Sequence, residues 1–272
     1  MIEDTQGRHD SRNLPIDKVG IKNIQYPITV VNQSGKPQST IAIFEMYVSL
    51  PHDQKGTHMS RFVEILNVYK DAVSLKVMSQ MIARMKKDLE SDAAYLNITF
   101  PYFVEKEAPV TRTKSVMNYT VSMVCESGDI NRTTLAIDVP VTTLCPCSKS
   151  ISEYGAHNQR GLVRVMVRFV SDESFMDFEE IIHRIEKTSS CEVFALLKRE
   201  DEKFVTERAY ENPVFVEDLV RDIALSLDEA DPISWFSVEV TNFESIHNHD
   251  AYAYIEVDKN SPETTNKTSL VI

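Results

Sequence analysis

The order of the periodic segments along the chain is the feature that most constrains its fold. In each half, segments with the two-residue period of strands flank a pair of segments with the period of an amphipathic helix. The layout is β-β-α-α-β-β, written twice, which is typical of an α+β fold with a helix pair on one face of each antiparallel sheet. The sequence therefore predicts two similar units in tandem.

The strand pattern and the helix pattern each recur in both halves. Strands are predicted at 41–50, 95–104, 114–126, 133–141, 162–170, 235–243 and 251–257. The helical stripes are Phe62, Ile65, Leu66 and Tyr69; Leu75, Met78, Ile82, Met85 and Leu89; Phe178, Ile181, Ile182 and Ile185; and Val216, Leu219, Val220, Ile223 and Leu227. These stripes predict the helix faces that cover each sheet.

We divide the chain into a first unit at 21–128 and a second unit at 129–258. The flanking segments 1–20 and 259–272 are polar and lack clear periodicity, so we expect flexible arms there. Each unit alone leaves sheet edges open, and proteins usually pair or cover such edges. We therefore expect the units to close into barrels by oligomerisation.

Composition excludes several classes of partner. With 42% apolar residues and 7 glycines in 272 residues, the chain has enough material for a folded core. Its formal charge of -12 argues against nucleic acids and anionic membranes as partners, although a few local cations suffice for one phosphorylated ligand. Since no apolar stretch approaches about 20 residues and the first residues do not resemble a signal peptide, we expect a cytoplasmic protein.

The four cysteines are too few and too unevenly spaced for a disulfide framework. Cys145 and Cys147 flank Pro146 at the end of a predicted strand, and His157 follows twelve residues after Cys145. Thiolate and imidazole both bind Zn²⁺ or a similar ion, while the proline favours an extended residue before it and should make the two sulfurs diverge. We therefore favour an arrangement in which one of the two cysteines is a metal ligand and the other is a catalytic or supporting thiol. The alternative is that the two are a chance pair of small buried residues.

A second cluster places Glu244, His247 and His249 in a loop between two predicted strands. The two histidines fall on one face if the segment is extended. Such a cluster supplies proton donors and acceptors near neutral pH, as general acid–base hydrolysis requires. A polar surface turn with incidental histidines is the alternative interpretation.

Charged residues crowd the segment 198–212, which we interpret as a solvated link between helices. Asn212 and Pro213 are predicted as the N-cap and first turn of the next helix, which places Glu217 near its positive end. The candidates for a triphosphate site are Lys55, His58 and Arg61 before a predicted helix, together with Arg112 and Lys149. Each of these cations is individually also compatible with ordinary surface charge.

Four segments, in this order, resemble those of the GTP cyclohydrolase IB family, and the likeness extends over about residues 20–257. They are Gly56–Phe62, Leu144–Ser148, Val205–Pro213 and Glu244–His249. The resemblance implies two tandem tunnel-fold units per chain, a homotetramer and active sites at subunit interfaces. It also implies the reaction, which is conversion of GTP to 7,8-dihydroneopterin 3'-triphosphate and formate as the first step of tetrahydrofolate biosynthesis.

The resemblance further implies roles for individual residues. The metal ligands would be Cys145, His157 and a glutamate, for which we choose Glu202, with Glu207 as the alternative. The metal would be manganese, zinc or another divalent ion. Cys147 is similar to an active-site thiol beside the metal, and Glu217 to the acid that binds the N–H edge of guanine, a geometry that suits a carboxylate. The acid–base groups around the imidazole ring of GTP would be Glu244, His247 and His249.

Two other functions remain open at the level of sequence. A tunnel-fold nitrile reductase of the queuosine pathway would use a cysteine nucleophile and a nicotinamide cofactor without a catalytic metal. A non-catalytic purine- or pterin-binding oligomer would keep the anchoring glutamate but turn nothing over. Metal dependence and formate release distinguish the cyclohydrolase from both.

Overall fold

The computed structural model describes residues 6–31, 35–171 and 174–261. The strands are β1 (Ile16–Val31), β2 (Pro37–Leu50), β3 (Ala94–Glu107), β4 (Lys114–Ser127), β5 (Arg132–Leu144), β6 (Asn158–Phe169), β7 (Cys191–Glu192), β8 (Ile233–Asn242) and β9 (Ala251–Asp258). The helices are α1 (Met59–Tyr69), α2 (Leu75–Asp88), α3 (Pro146–Ile151), α4 (Phe178–Thr188), α5 (Arg199–Glu211) and α6 (Val216–Asp228). The α+β class is confirmed, and the first half has the order β-β-α-α-β-β, whereas the second half adds α3, β7 and α5 to that order.

The chain forms two compact units. The first comprises Met1–Pro101 and Val121–Leu135, and the second comprises Tyr102–Thr120 and Ala136–Ile272. The repeat boundary that the sequence predicts, between residues 128 and 129, falls in the turn between β4 and β5. The limits of the two sequence repeats themselves stay a prediction.

The first unit is built on the antiparallel strands β1, β2 and β3 and on two helices. Residues that alternate along β2, such as Phe44, Met46 and Val48, are buried, as the period of two predicts. Helices α1 and α2 pack together and bury the predicted stripes, with Phe62 and Met78 fully enclosed. Ser74 caps α2 by accepting a hydrogen bond from the amide of Val77.

The second unit pairs β6, β8 and β9 in antiparallel register, and its functional residues lie at one end of these strands. Val163 lies opposite Val240, and Asn242 is opposed by Gly161 on one side and by Ala251 on the other. Helix α6 packs on β8 and β9, and its predicted stripe is buried through Leu219 and Ile223. The connections that leave the strands near Asn242 are therefore held at fixed positions by the sheet.

The interpretation of segment 198–212 as a link is wrong, because residues 199–211 form α5. Asp201 starts this helix by accepting a hydrogen bond from the Lys198 amide at 2.9 Å, which satisfies one of the unpaired N–H groups of a helix start. The predicted N-cap is also wrong, since Asn212 ends α5 and the N-cap of α6 is Phe215. Glu217 nevertheless lies in the first turn of α6, as predicted.

Strand β1 begins at Ile16, inside the segment 1–20 that we expected to be an arm. Register shifts interrupt its pairing with β2 between Ile16 and Val19 and again between Ile21 and Ile24. Asn23 also has a positive φ of 58°, so the irregular backbone masks the alternation that marks a strand. Residues 1–5 of the arm and 262–272 of the predicted tail lie outside the described residues.

Candidate active site

A cavity of about 260 Å³ opens in the second unit where three connections meet. It is bordered by the β5–β6 connection, the start of α6 and the β8–β9 connection. Its lining includes six of the residues that the sequence singles out, namely Cys145, His157, Glu217, Glu244, His247 and His249. Side chains far apart in the sequence thus share one concave site.

Cys145 is fixed by the start of α3. It is the N-cap of this helix, with φ −68° and ψ 115°, and Pro146 occupies the first helical position. Its sulfur accepts a weak hydrogen bond from the amide of Ser148 at 3.4 Å. The extended backbone before the proline agrees with the sequence prediction, and Cys147 is exposed on α3 and outside the cavity lining.

The backbone of His157 is tied to the same helix start. Its carbonyl accepts a hydrogen bond of 3.1 Å from the Cys145 amide, and its own amide donates to Ser148 Oγ at 3.2 Å. Ser148 Oγ in turn donates to the Cys145 carbonyl at 3.1 Å. These bonds hold the thiol-bearing and imidazole-bearing residues beside each other despite their separation in sequence.

Cys145 and His157 fit a borderline divalent ion as a pair, because thiolate and imidazole are its preferred ligands. Within residues 6–31, 35–171 and 174–261, no group of three His, Cys, Asp or Glu side chains is arranged to hold a metal. Glu202 and Glu207 are exposed on α5, and neither lines the cavity. Of the predicted metal ligands, the cavity thus brings together Cys145 and His157 but not Glu202 or Glu207.

The loop 243–250 between β8 and β9 carries the acid–base cluster. The rings of His247 and His249 stack with centroids 5.1 Å apart and planes 16° from parallel. Both histidines are exposed and Glu244 is half-buried. The backbone is bent rather than extended, yet the two imidazoles stack, so two titratable side chains lie together beside the cavity.

Glu217 borders the cavity from the first turn of α6. Its carboxylate is exposed, which leaves both oxygens accessible to a ligand. The N-terminus of a helix stabilises negative charge through its unpaired N–H groups. This position suits a carboxylate that receives two parallel N–H groups from a ligand.

The five basic residues predicted to bind triphosphate do not line this cavity. Lys55, His58 and Arg61 belong to the first unit, around the start of α1, where Arg61 donates to the Asp88 carbonyl. Lys149 donates to the Tyr210 carbonyl, and its Nζ lies 4.4 Å from the centre of the Tyr210 ring. Arg112, in the β3–β4 connection, has a positive φ of 58° and an exposed side chain.

Comparison with known proteins decides the family. The family model described as type I GTP cyclohydrolase folE2 matches residues 2–253. The chain belongs to this family.

Curated relatives support the same family over nearly the whole chain. A protein of Nitrosococcus oceani named GTP cyclohydrolase FolE2 is 51% identical over 259 residues, which cover 95% of this chain and 96% of that protein. A protein of the same name from Geobacter sp. (strain M21) is 53% identical over 260 residues, with 96% of each chain covered. The cyclohydrolase resemblance of the sequence motifs is therefore confirmed at the level of the type I family.

Solved structures with little sequence similarity confirm the fold of this family member. Uricase from Arthrobacter globiformis aligns with a TM-score of 0.52 at 7% identity, covering 89% of this chain and 93% of that one. A hyperthermostable urate oxidase mutant from Bacillus sp. TB-90 gives a TM-score of 0.52 at 9% identity over 90% and 99% of the two chains. The tunnel fold is thus confirmed, and at this identity the likeness concerns the fold alone.

Two polar residues of this cyclohydrolase family member line the cavity but were missed in the sequence. Gln159, at the start of β6, is 8% exposed and bonds to His157. Asn242, at the end of β8, is 3% exposed, and its buried Oδ1 has no hydrogen-bond partner within the described ranges. A side chain at Gly161 would place its Cβ 2.7 Å from this oxygen, so the glycine makes room for Asn242. A glycine directly before the strand predicted at 162–170 was the available signal.

Among the described residues of this family member, no helix is both long enough and apolar enough to cross a bilayer.

Proposed function

We propose that this chain catalyses conversion of GTP to 7,8-dihydroneopterin 3'-triphosphate and formate, the first step of tetrahydrofolate biosynthesis. The observation that carries the proposal is the convergence of Cys145, His157, Glu217 and the 244–249 cluster on one cavity. Membership of the type I GTP cyclohydrolase family supports it independently. Assignment to type IB stays a prediction from the four sequence motifs.

Glu217 anchors the base in this proposal. The guanine edge presents an N–H and an amino group side by side, and a carboxylate accepts both with two charge-assisted hydrogen bonds. Adenine presents no such pair of donors, so this contact discriminates GTP from ATP. The accessible carboxylate at the start of α6 is the feature of the structure that supports this role.

Glu244, His247 and His249 transfer protons during ring opening. Release of C8 as formate breaks both bonds from this carbon to the ring nitrogens, and each nitrogen needs a proton because an amide anion is a poor leaving group. Imidazoles titrate near neutral pH and both give and take protons. Their stacked position on one loop supports a shared role. Cys147 is proposed as an additional active-site thiol.

Cys145 and His157 would hold a divalent ion, manganese or zinc, with Glu202 as the proposed third ligand. When bound, such an ion supplies Lewis-acid chemistry and hydroxide at neutral pH. The shared hydrogen bonds of Cys145, Ser148 and His157 support the pair of ligands. The role of Glu202 rests on the sequence motif.

We also propose that the chain works as a cytoplasmic homotetramer with active sites at subunit interfaces. Strand β9 pairs with β8 on one side and presents the exposed Tyr252 and Tyr254 on one face. Exposed aromatic residues on a sheet are typical of a surface that a second subunit covers. Lys55, His58, Arg61, Arg112 and Lys149 remain the proposed triphosphate contacts.

The proposal is tested by incubating metal-stripped protein with GTP, with and without Mn²⁺ or Zn²⁺. Formate is measured directly, and neopterin by its fluorescence after oxidation and dephosphorylation. Metal-dependent formation of both supports the assignment. Unchanged GTP under every metal overturns it and favours the reductase or the binding protein. Cys145→Ala should lose metal and activity together, whereas Cys147→Ala, its matched control, should keep the metal.

A further inference from the structure

The side chain of Gln159 connects the candidate site to the interior of the second unit. Its Nε2 donates a hydrogen bond of 2.8 Å to Thr143 Oγ1, and its Oε1 lies 3.0 Å from His157 Nδ1. Thr143 is completely buried and Gln159 is 8% exposed, so water competes little for either bond. Both polar ends of this amide are therefore held by protein groups in surroundings from which water is largely excluded.

The amide of Gln159 directs Nε2 to the Thr143 hydroxyl and Oε1 to the imidazole. With Nε2 directed to the hydroxyl, Gln159 presents a carbonyl oxygen to His157, and an oxygen acceptor requires an N–H on Nδ1. A neutral imidazole carries a single N–H, so a proton on Nδ1 leaves the lone pair on Nε2. Ser245 Oγ, 3.3 Å from Nδ1, is a longer and exposed contact, and with Nδ1 protonated this hydroxyl accepts from the same N–H.

A neutral amide suits this place better than a carboxylate. Gln159 lies where a charge would be removed from water, and the cost of burying an unpaired charge is high. The amide supplies the acceptor for Nδ1–H and donates one of its own N–H groups to Thr143, so both its oxygen and its nitrogen have a partner. The pair therefore fixes the ring of His157 without adding charge to the cavity.

We propose that Gln159, oriented by Thr143, is a positioning residue that holds His157 as the Nδ1–H tautomer and keeps the lone pair of Nε2 for a divalent ion. The use of Nε2 as a ligand rests on the proposed function. The tautomer itself does not, because it follows from hydrogen bonds within the chain. Partners of this kind usually tune metal affinity through the orientation and basicity of the ligand.

The tautomer is tested on metal-free, ¹⁵N-labelled protein at about pH 8, where an ordinary histidine is neutral. The signals of His157 are assigned from the spectrum of His157→Asn. We expect a protonated Nδ1 and an unprotonated Nε2 in the wild type, and a mixture of tautomers in Gln159→Met, which keeps the side-chain length without the hydrogen bonds. Gln159→Glu should keep the proton on Nδ1, since a carboxylate also accepts from Nδ1–H.

Metal affinity gives the second measurement, by titrating metal-free protein with Mn²⁺ or Zn²⁺ in a calorimeter. Gln159→Met should bind about 10- to 100-fold more weakly, and Thr143→Val should weaken binding in the same direction. Ser245→Ala is the control and should change little. A wild type with the proton on Nε2, or a Gln159→Met protein with an unchanged tautomer, overturns the inference. If the wild type carries the proton on Nδ1 but binds no metal, the proposed metal site is overturned. The role of Gln159 in positioning His157 then still stands.

Discussion

Thr111 Oγ1 donates a hydrogen bond of 2.7 Å to Oδ2 of the fully buried Asp201. The same carboxylate accepts the amides of Val110, Thr111 and Lys198, each at 2.9 Å. One side chain thus joins the β3–β4 connection to the start of α5. That helix carries Glu202, the proposed third metal ligand, so Asp201 fixes the backbone from which Glu202 extends.

We expect Asp201→Asn to destabilise the second unit, because an amide replaces an oxygen acceptor with an N–H₂ group that faces other donors. A buried donor without a partner is costly. The urea concentration at the midpoint of unfolding should fall below that of the wild type, and this decrease should be several times larger than in Glu200→Gln. The matched control changes the exposed neighbouring acid. Equal midpoints for the two variants would contradict this role of Asp201.

Stability should also depend on Asp201 in acid. Burial opposes its ionisation, but the hydrogen bonds from Thr111, Lys198 and Val110 outweigh this effect and hold the pKa of Asp201 well below its usual range. Because the folded pKa is lower, the stabilisation is complete above the unfolded pKa of about 3.9 and is lost as the pH falls toward the folded value. Unfolding midpoints measured from about pH 5 to about pH 2 should therefore fall less steeply in Asp201→Asn than in the wild type.

Lys106 and Glu186 form a buried ion pair whose disruption should be costly. The distance from Lys106 Nζ to Glu186 Oε1 is 2.8 Å, and Tyr119 donates to the same oxygen at 2.7 Å. Lys106→Met leaves a buried carboxylate without its cation and should lower the free energy of unfolding by about 3 to 5 kcal/mol. Lys114→Met, which breaks the exposed pair with Glu105, should change it by no more than about 1 kcal/mol. Chemical denaturation measures both, and similar losses would show that burial of the pair has no effect.

Gly161→Ala should destabilise the chain by about 1 to 3 kcal/mol, since the new Cβ would lie 2.7 Å from Asn242 Oδ1 and must displace it. Gly56→Ala is the control, because a Cβ there would meet Gln6 at an ordinary 3.7 Å. Thermal unfolding of both variants checks the prediction. Displacement of Asn242 should in addition weaken GTP binding. An unchanged affinity for GTP would show that Asn242 does not contribute to binding it.

Glu217→Gln should raise the KM for GTP by about 100-fold, because one of two charge-assisted hydrogen bonds to guanine is replaced by a repulsive contact between donors. The metal content should stay that of the wild type. Asp222→Asn is the control, an exposed acid on the same helix outside the cavity lining. Steady-state kinetics with GTP distinguish the variants, and an unchanged KM in Glu217→Gln would remove this residue from guanine recognition.

How much the sequence predicts depends on how strongly each element shows its period. Helix α6 was predicted because Leu219 and Ile223 belong to a regular buried stripe. Helix α5 was missed because it buries only Asp201 and Ala209, so it has almost no apolar face and its order comes from hydrogen bonds to the β3–β4 connection. Periodicity detects helices that bury apolar residues and misses those held by polar contacts.

The candidate site shows the same division. Glu244, His247 and His249 were found because they are titratable and adjacent in sequence, and the structure places them on one loop beside the cavity. Gln159 and Asn242 are neutral residues inside strands, so nothing in the sequence marks them as residues of a site. Their place beside the cavity becomes evident only when the pairing of the neighbouring strands is known. The metal role of Glu202 stays a prediction, because the described arrangement does not bring it to Cys145 and His157.

Pairing of Asn242 with Ala251 across β8 and β9 closes the loop 243–250 at its base. A loop whose ends are already joined by the sheet tolerates insertions at little entropic cost, since closure entropy grows only with the logarithm of loop length. The length of the loop is thereby uncoupled from the register of β8 and β9. An insertion within it should change the spacing of Glu244, His247 and His249 while the two strands keep their pairing.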